Sequence, residues 1–134
     1  MPRALVAGAA YFALVYAAGF ALGPLRELLV GPLTGRALAV LVEAPFLVAA
    51  MWLAAQFAVR RLTVPADTTS RAAMGFLAFV LLMVAEAALA AVLRGWSLGR
   101  WLGHIVTAEG LLSLGLFLLF AAMPMLVRDA QTRP

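Results

Sequence analysis

The chain has no cysteine, one histidine and no lysine among its ten basic residues. The absence of cysteine excludes disulfides, thiolate metal sites and thiol redox chemistry within this chain. A single histidine excludes any multi-histidine site, so a metal would have to rest on glutamates without a recognisable spacing motif. No Gly-rich phosphate loop, nucleophile elbow or HExxH motif is present. We therefore expect no cofactor, no metal and no catalytic residue.

Charge is also scarce, at 12% of residues, whereas 66% are hydrophobic. A chain of 134 residues with so little polar surface falls in the membrane class rather than among soluble globules. The arginines are dispersed at the ends of apolar segments, where they suit lipid headgroups better than nucleic-acid phosphates. The composition thus predicts membrane lipids as partners and no nucleic acid.

Four apolar runs organise the chain, each close to the roughly 20 residues that cross about 30 Å of hydrocarbon. The first run is longer than the core of a signal peptide, so we expect it to be retained. The fold class predicted is all-α, a single polytopic domain over 1–134 that forms a four-transmembrane-helix bundle. The spans are expected at about 4–22, 36–59, 72–93 and 107–127.

Shorter segments separate the spans. Gly and Pro bracket residues 24–31, which are predicted to form a short interfacial helix or a re-entrant turn packed against protein. Trp and Arg mark 97–104, which is predicted to be a second short interfacial helix. Thr69 or Ser70 is placed to cap the third span, and Ser97 to cap the second interfacial helix.

The arginines also predict an orientation. Six fall on one side of the four spans and four on the other, and the positive-inside rule places the richer side in the cytoplasm. Heavy use of Arg, Ala, Leu and Gly is typical of a high-GC bacterial genome. We therefore expect a multi-pass protein of the bacterial inner membrane with both termini cytoplasmic. The first side carries Arg3, Arg60, Arg61, Arg71, Arg128 and Arg133, and the second Arg26, Arg36, Arg94 and Arg100.

Acidic residues interrupt two of the spans. Glu43 stands two residues before Pro45, which removes a backbone donor and predicts a kink in the second helix. Glu86 shares a helix face of the third span with small residues, which lets a buried charge lie against neighbouring helices rather than lipid. That face consists of Gly75, Ala78, Leu82, Glu86 and Ala90.

The predicted topology puts Glu43 and Glu86 about 10 Å below the periplasmic surface. A charge inside a span costs about 2.5 to 3.5 kcal/mol on insertion scales, so both carboxylates must be paired, protonated or hydrated. One interpretation is a polar cavity, open to the periplasm, that takes a proton, a cation or a small polar ligand. The other is an ion pair with Arg26 or Arg94 that fixes helix register.

Glu109 belongs to the same candidate cluster because it lies near the outer start of the fourth span. A simpler interpretation also applies to it, since an acid in the first turn of a helix stabilises the helix N-terminus.

Five short segments resemble those of small four-span inner-membrane proteins of proteobacteria for which no activity is known. This resemblance extends over most of the chain and implies the four-span architecture, without implying a reaction. The segments are Tyr11-Phe12-Ala13-Leu14-Val15, Gly23-Pro24-Leu25-Arg26, Leu41-Val42-Glu43-Ala44-Pro45, Leu93-Arg94-Gly95 and Met123-Pro124.

Three functions are compatible with these features. The first is a non-enzymatic assembly or accessory module, either a homo-oligomer or part of a larger membrane complex, which would use the small residues Gly75, Ala78 and Ala90 for close contact. The second is a small proton- or cation-coupled transporter or channel subunit built around Glu43 and Glu86. The third is a lipid-binding or lipid-modifying membrane protein.

Overall fold

The computed structural model describes residues 2–25 and 31–127, and these residues form helices and no strand, which confirms the all-α class. The three longest helices and the last one build the body of the fold, and two short helices lie between them. In chain order they are α1 (Pro2–Leu25), α2 (Gly31–Thr34), α3 (Arg36–Leu62), α4 (Thr68–Arg94), α5 (Leu98–His104) and α6 (Ala108–Leu126).

Three of these helices are long and apolar enough to cross a membrane, over Pro2–Leu22, Leu38–Leu62 and Thr68–Arg94. The apolar stretch of α6, Gly110–Leu126, is shorter, so helix length and composition support three of the four predicted spans. α5 lies where a short helix was predicted. Of the other predicted short helix, 24–31, the end of α1 and the start of α2 are described, and the residues between them lie outside the described part.

Short polar residues fix where the helices begin. Asp67 is the N-cap of α4, and its carboxylate accepts hydrogen bonds from Ser70 N and Ser70 Oγ, both at 2.9 Å. The bond from the Ser70 backbone, and then that from its hydroxyl, holds the pKa of Asp67 below its usual value. The prediction of Thr69 or Ser70 as the cap was wrong, because α4 begins at Thr68 and Ser70 acts as a donor. Ser97 does cap α5, as predicted.

The four long helices form a ring. α1 and α6 each pack against both α3 and α4, and the core is built from the side chains that these helices turn inward. Outward-facing positions carry large apolar side chains such as Phe57, Phe76 and Val84, which are more than half exposed. A surface of this kind suits lipid hydrocarbon as its solvent.

Helix α4 lies very close to two neighbouring helices at Met74 and Gly75. A Cβ atom added to Gly8 of α1 would lie 2.7 Å from the Met74 carbonyl oxygen, and one added to Gly75 would lie 2.0 Å from the Ala121 carbonyl oxygen of α6. α4 is therefore held between two neighbours at a distance that only glycine permits. The small face of α4 is buried inside the chain along Gly75, Ala78, Leu82 and Ala90, so contacts within one copy already use it.

A hydrogen bond crosses the centre of the ring between α1 and α6. Pro124 lacks the N–H that would bond to the Phe120 carbonyl one turn earlier. Tyr11, which is 0% exposed, fills this gap because its hydroxyl donates to the Phe120 carbonyl oxygen at 2.7 Å. The two rings stack with their centroids 4.4 Å apart. Tyr11 of α1 thus supplies the hydrogen bond that the Phe120 carbonyl of α6 cannot receive from Pro124.

Arg71 closes one end of the bundle. Its side chain is 3% exposed and donates from Nε to the Pro65 carbonyl at 3.1 Å and from Nη1 to the Pro124 carbonyl at 3.0 Å. Nη1 also donates to the carbonyl of Val127, which caps α6. Because the last carbonyls of a helix have no partner within it, this buried guanidinium supplies the donors that the end of α6 needs.

We expect Gly75→Ala to lower the free energy of unfolding in mild detergent by about 1 to 3 kcal/mol, because the added methyl group overlaps the α6 backbone. Gly115→Ala is the matched control, since a Cβ there meets nothing within 4 Å. Alanine favours a helix more than glycine does, so the control should be neutral or slightly stabilising. Equal effects of the two changes on a denaturant titration would contradict the close packing of α4 against α6.

We expect Tyr11→Phe to destabilise the chain by about 1 to 3 kcal/mol, because it leaves a buried carbonyl without a donor. In a Pro124→Ala background the new N–H at position 124 can bond to the Phe120 carbonyl, so Tyr11→Phe should cost much less there. The four unfolding free energies of this double-mutant cycle measure the coupling. Additive effects would show that the hydroxyl does not replace the missing helical bond.

Candidate functional site

A cavity of about 400 Å³ lies within the helix ring at the end opposite Arg71. α1 and α4 finish at this end, whereas α3 and α6 begin there, and all four contribute to the wall. The lining changes with depth, from basic and aromatic side chains at the mouth to carboxylates and then to apolar side chains at the floor.

The mouth is formed by the end of α4 and by α5. Arg94 is the last residue of α4, Trp96 and Trp101 lie in the following segment, and His104 ends α5. The Trp96 and His104 ring centroids are 5.0 Å apart. Tryptophan and arginine side chains favour the level of lipid headgroups, so this composition is appropriate for a mouth at the membrane surface.

Glu43 and Glu86 lie in the wall below the mouth. Glu86 precedes Arg94 by eight residues on one helix, which places it about 12 Å deeper at 1.5 Å per residue. Glu43 comes from α3 and is only 7% exposed, while Glu86 is half-buried. Tyr16 and Ser113 add hydroxyl groups to the lining from α1 and α6. Two carboxylates from different helices therefore face one shared space.

The floor is apolar and closed. Met51, Leu82 and Phe120 line the bottom of the cavity, and Phe120 stacks there on Tyr11. Both of these rings are fully buried, as is Met74 behind them. The packed core thus separates the cavity from the opposite end of the bundle.

The local sequence explains how the carboxylates reach the cavity. The inward face of α4 carries small residues, so Glu86 on that face is directed toward the other helices. Gly19 lines the wall opposite, and a Cβ added there would meet no atom within 4 Å, so this glycine leaves open space beside Phe20. Gly110 has the opposite role, because a Cβ there would lie 2.0 Å from the His104 carbonyl oxygen and would push α5 away from α6.

The structure brings together three of the five residues of the predicted cluster. Glu43, Glu86 and Arg94 all line the cavity. Arg26 lies outside the described residues, and Glu109 is the second residue of α6, with a side chain that also lies outside the described part. Pro45 lies within α3, which runs without interruption from Arg36 to Leu62, and the kink there stays a prediction.

Several lining residues were not singled out from the sequence. Trp101 and His104 fall in the predicted interfacial helix 97–104 and Trp96 just before it, while Tyr16 and Phe117 fall in predicted spans. Their relation to the acids depends on α5 folding back over the bundle, for which the sequence carries only the Ser97 cap and nearby glycines as signals. Arg71 and Tyr11 were also missed, because their partners are backbone carbonyls 53 and 109 residues away.

The chemistry available in this arrangement is that of charge and shape. The acids offer hydrogen-bond acceptors and negative charge at mid-depth, the aromatic rings offer faces that attract cations, and the floor accepts hydrocarbon. Within the described residues, no group of three or more His, Asp and Glu side chains is positioned to hold a metal ion.

Comparison of the chain with protein-family models, with curated proteins and with solved structures finds no match.

Proposed function

We propose that this chain is a non-enzymatic membrane module whose cavity binds a small amphipathic ligand with a cationic group. The observation that carries the proposal is one cavity in which Glu43 and Glu86 lie above an apolar floor. Two carboxylates in one lining offer hydrogen-bond acceptors and negative charge to a cationic group of a ligand.

Shape and lining favour an organic cation over a bare ion. About 400 Å³ is the size of a small-molecule site, and such sites are mostly apolar with a few polar groups that set orientation. A ligand whose ammonium group lies beside the acids can extend an alkyl or aryl part down to Met51 and Leu82. The Tyr16 and Phe117 rings border this path and favour a positively charged group by cation–π attraction.

We also propose that α6 is a fourth span, which makes the chain a four-span protein of a bacterial inner membrane with both termini cytoplasmic. α6 packs against α3 and α4, two helices long enough to cross, and at 19 residues it is about 28 Å long. The arginine count orients the bundle, so that the cavity opens in the periplasmic leaflet and Arg71 lies toward the cytoplasm.

Transport remains the second candidate, and the closed floor argues for binding over a channel. A channel needs a path past Tyr11, Phe120 and Met74, all of which are fully buried in the core. A transporter would have to open that core in a second conformation.

Assembly with a second copy or a larger complex also stays a prediction. The small-residue face of α4 is buried within one chain, so an assembly would use the outward apolar faces instead.

The proposed topology places the C-terminus in the cytoplasm. A reporter that works only in the cytoplasm should therefore be active when fused after Pro134, and one that works only in the periplasm should be inactive. A second fusion in the Thr63–Asp67 loop should give the same result, because that loop connects α3 to α4 on the same side. Periplasmic activity of the C-terminal fusion together with cytoplasmic activity of the loop fusion would remove α6 from the spans.

The binding proposal predicts that octyltrimethylammonium changes the tryptophan fluorescence of the purified full chain in nanodiscs in a saturable way, because Trp96 and Trp101 lie at the cavity mouth. Glu86→Gln and Glu43→Gln should each weaken binding about tenfold or more, which corresponds to about 1.4 kcal/mol. The uncharged 1-octanol should show no dependence on these two changes.

Asp67→Asn is the matched control, since it removes a carboxylate at the far end and asparagine also serves as an N-cap. Binding should match that of the parent. Equal affinity of the parent and both glutamate variants would overturn the ligand proposal. A proton flux in liposomes that needs Glu43 or Glu86 would assign the acids to transport instead.

A further inference from the structure

Two arginine side chains converge on one tryptophan at the membrane-surface end of the bundle. The guanidinium carbon of Arg94 lies 4.9 Å from the Trp96 ring centroid, and that of Arg100 lies 5.1 Å from it. Trp96 is half-buried, whereas both arginines are exposed. The indole therefore holds two cations near each other on a surface that an external group can reach.

The backbone on either side of this cluster is fixed. Gly95 caps α4 with a φ of +66°, and Trp96 N donates to the Ala90 carbonyl at 3.2 Å, which completes a helix-ending turn. One turn further on, Arg100 N donates to Ser97 Oγ at 3.2 Å in the cap of α5. Arg94 and Arg100 thus extend from the ends of capped helices, and hydrogen bonds hold the backbone that carries them.

Two exposed guanidinium groups next to one ring present several N–H donors to one external group. Guanidinium groups match phosphate oxygens with paired N–H donors, which makes phosphate the anion that this arrangement suits best. The apolar neighbours indicate where the phosphate comes from. Val92 and Leu93 on α4 and Leu98 and Leu102 on α5 are all at least half exposed, as is appropriate for side chains beside acyl chains.

We propose that Arg94 and Arg100, held on Trp96, bind the phosphate of an anionic phospholipid headgroup. Arg94 and Trp96 also line the cavity mouth, whereas Arg100 lies outside the lining, so changes at Arg100 test the headgroup site separately from the cavity ligand. The lipid covers the α4–α5 corner and fixes α5 above the cavity mouth.

The test uses the full chain in phosphatidylcholine nanodiscs that contain a small fraction of spin-labelled phosphatidylglycerol or, separately, spin-labelled phosphatidylcholine. The parent should immobilise the anionic lipid preferentially. Arg100→Gln should reduce this preference about fivefold, the amount expected for one arginine near a lipid surface. Trp96→Leu should reduce it as well, since both guanidinium groups lose their support.

Arg61→Gln is the matched control because Arg61 is exposed at the opposite end of the bundle and is absent from the cavity lining. It should retain most of the preference. Circular dichroism on each variant checks that the helices are intact, and Arg100→Lys provides a second variant that keeps the charge and should keep part of the preference.

Two results would overturn the proposal. One is an equal preference for phosphatidylglycerol in the parent and in Arg100→Gln. The other is displacement of the spin-labelled lipid by millimolar inorganic phosphate, which would identify a site for free phosphate and not for a lipid. If octyltrimethylammonium fails to bind but the preference for phosphatidylglycerol is kept, only the cavity proposal is rejected. The two proposals can therefore be rejected independently.

Discussion

The fold depends on supplying a partner for every backbone group that lies away from water. In a membrane an unsatisfied carbonyl or amide costs several kcal/mol, and a proline within a helix creates one such carbonyl. Pro124 does so at Phe120, and the Tyr11 hydroxyl provides the donor from the other side of the ring. The same contact sets the distance between α1 and α6 and closes the cavity floor, because the two rings stack where the hydrogen bond forms.

The two ends of the bundle differ in how the helix ends are hydrogen-bonded and in how the space between the helices is filled. At one end the buried guanidinium of Arg71 donates hydrogen bonds to carbonyls at the end of α6, and the interior there is filled. At the other end a cavity with two glutamates in its wall lies between the helices, and α5 contributes to its mouth. This asymmetry gives the molecule a packed half and a hollow half. The hollow half combines acids, basic residues and aromatic rings around a space of the size that a ligand needs.

The helical class, the approximate helix positions and the inward direction of Glu86 followed from the sequence. Apolar length determines spans, and the spacing of Gly75, Ala78, Leu82 and Ala90 marks a face that must pack. The exact helix ends were harder to predict from the sequence. Several polar residues in one short loop compete for the cap position, and the N-cap of α4 is Asp67. The fourth span stays a prediction, because the apolar stretch of α6 is shorter than those of the other three long helices.

The site was partly predictable for a related reason. A carboxylate inside an apolar run is visible in a sequence, so Glu43 and Glu86 were identified, but a cavity is a property of how four helices fit together. Trp96 and His104 reach its mouth only because α5 turns back over the bundle. Tyr11 and Arg71 were invisible for another reason, since their partners are backbone carbonyls, which carry no signature in the side-chain sequence.

The position of Arg71 has a consequence for how the protein is made. During synthesis α4 emerges before α6, so the guanidinium has the Pro65 carbonyl nearby but must wait for its acceptors at Pro124 and Val127, which follow 53 and 56 residues later. Until α6 is in place, the guanidinium lacks these two acceptors. Once α6 packs against α4, the hydrogen bonds to Pro124 and Val127 hold the end of the last helix against the body of the fold.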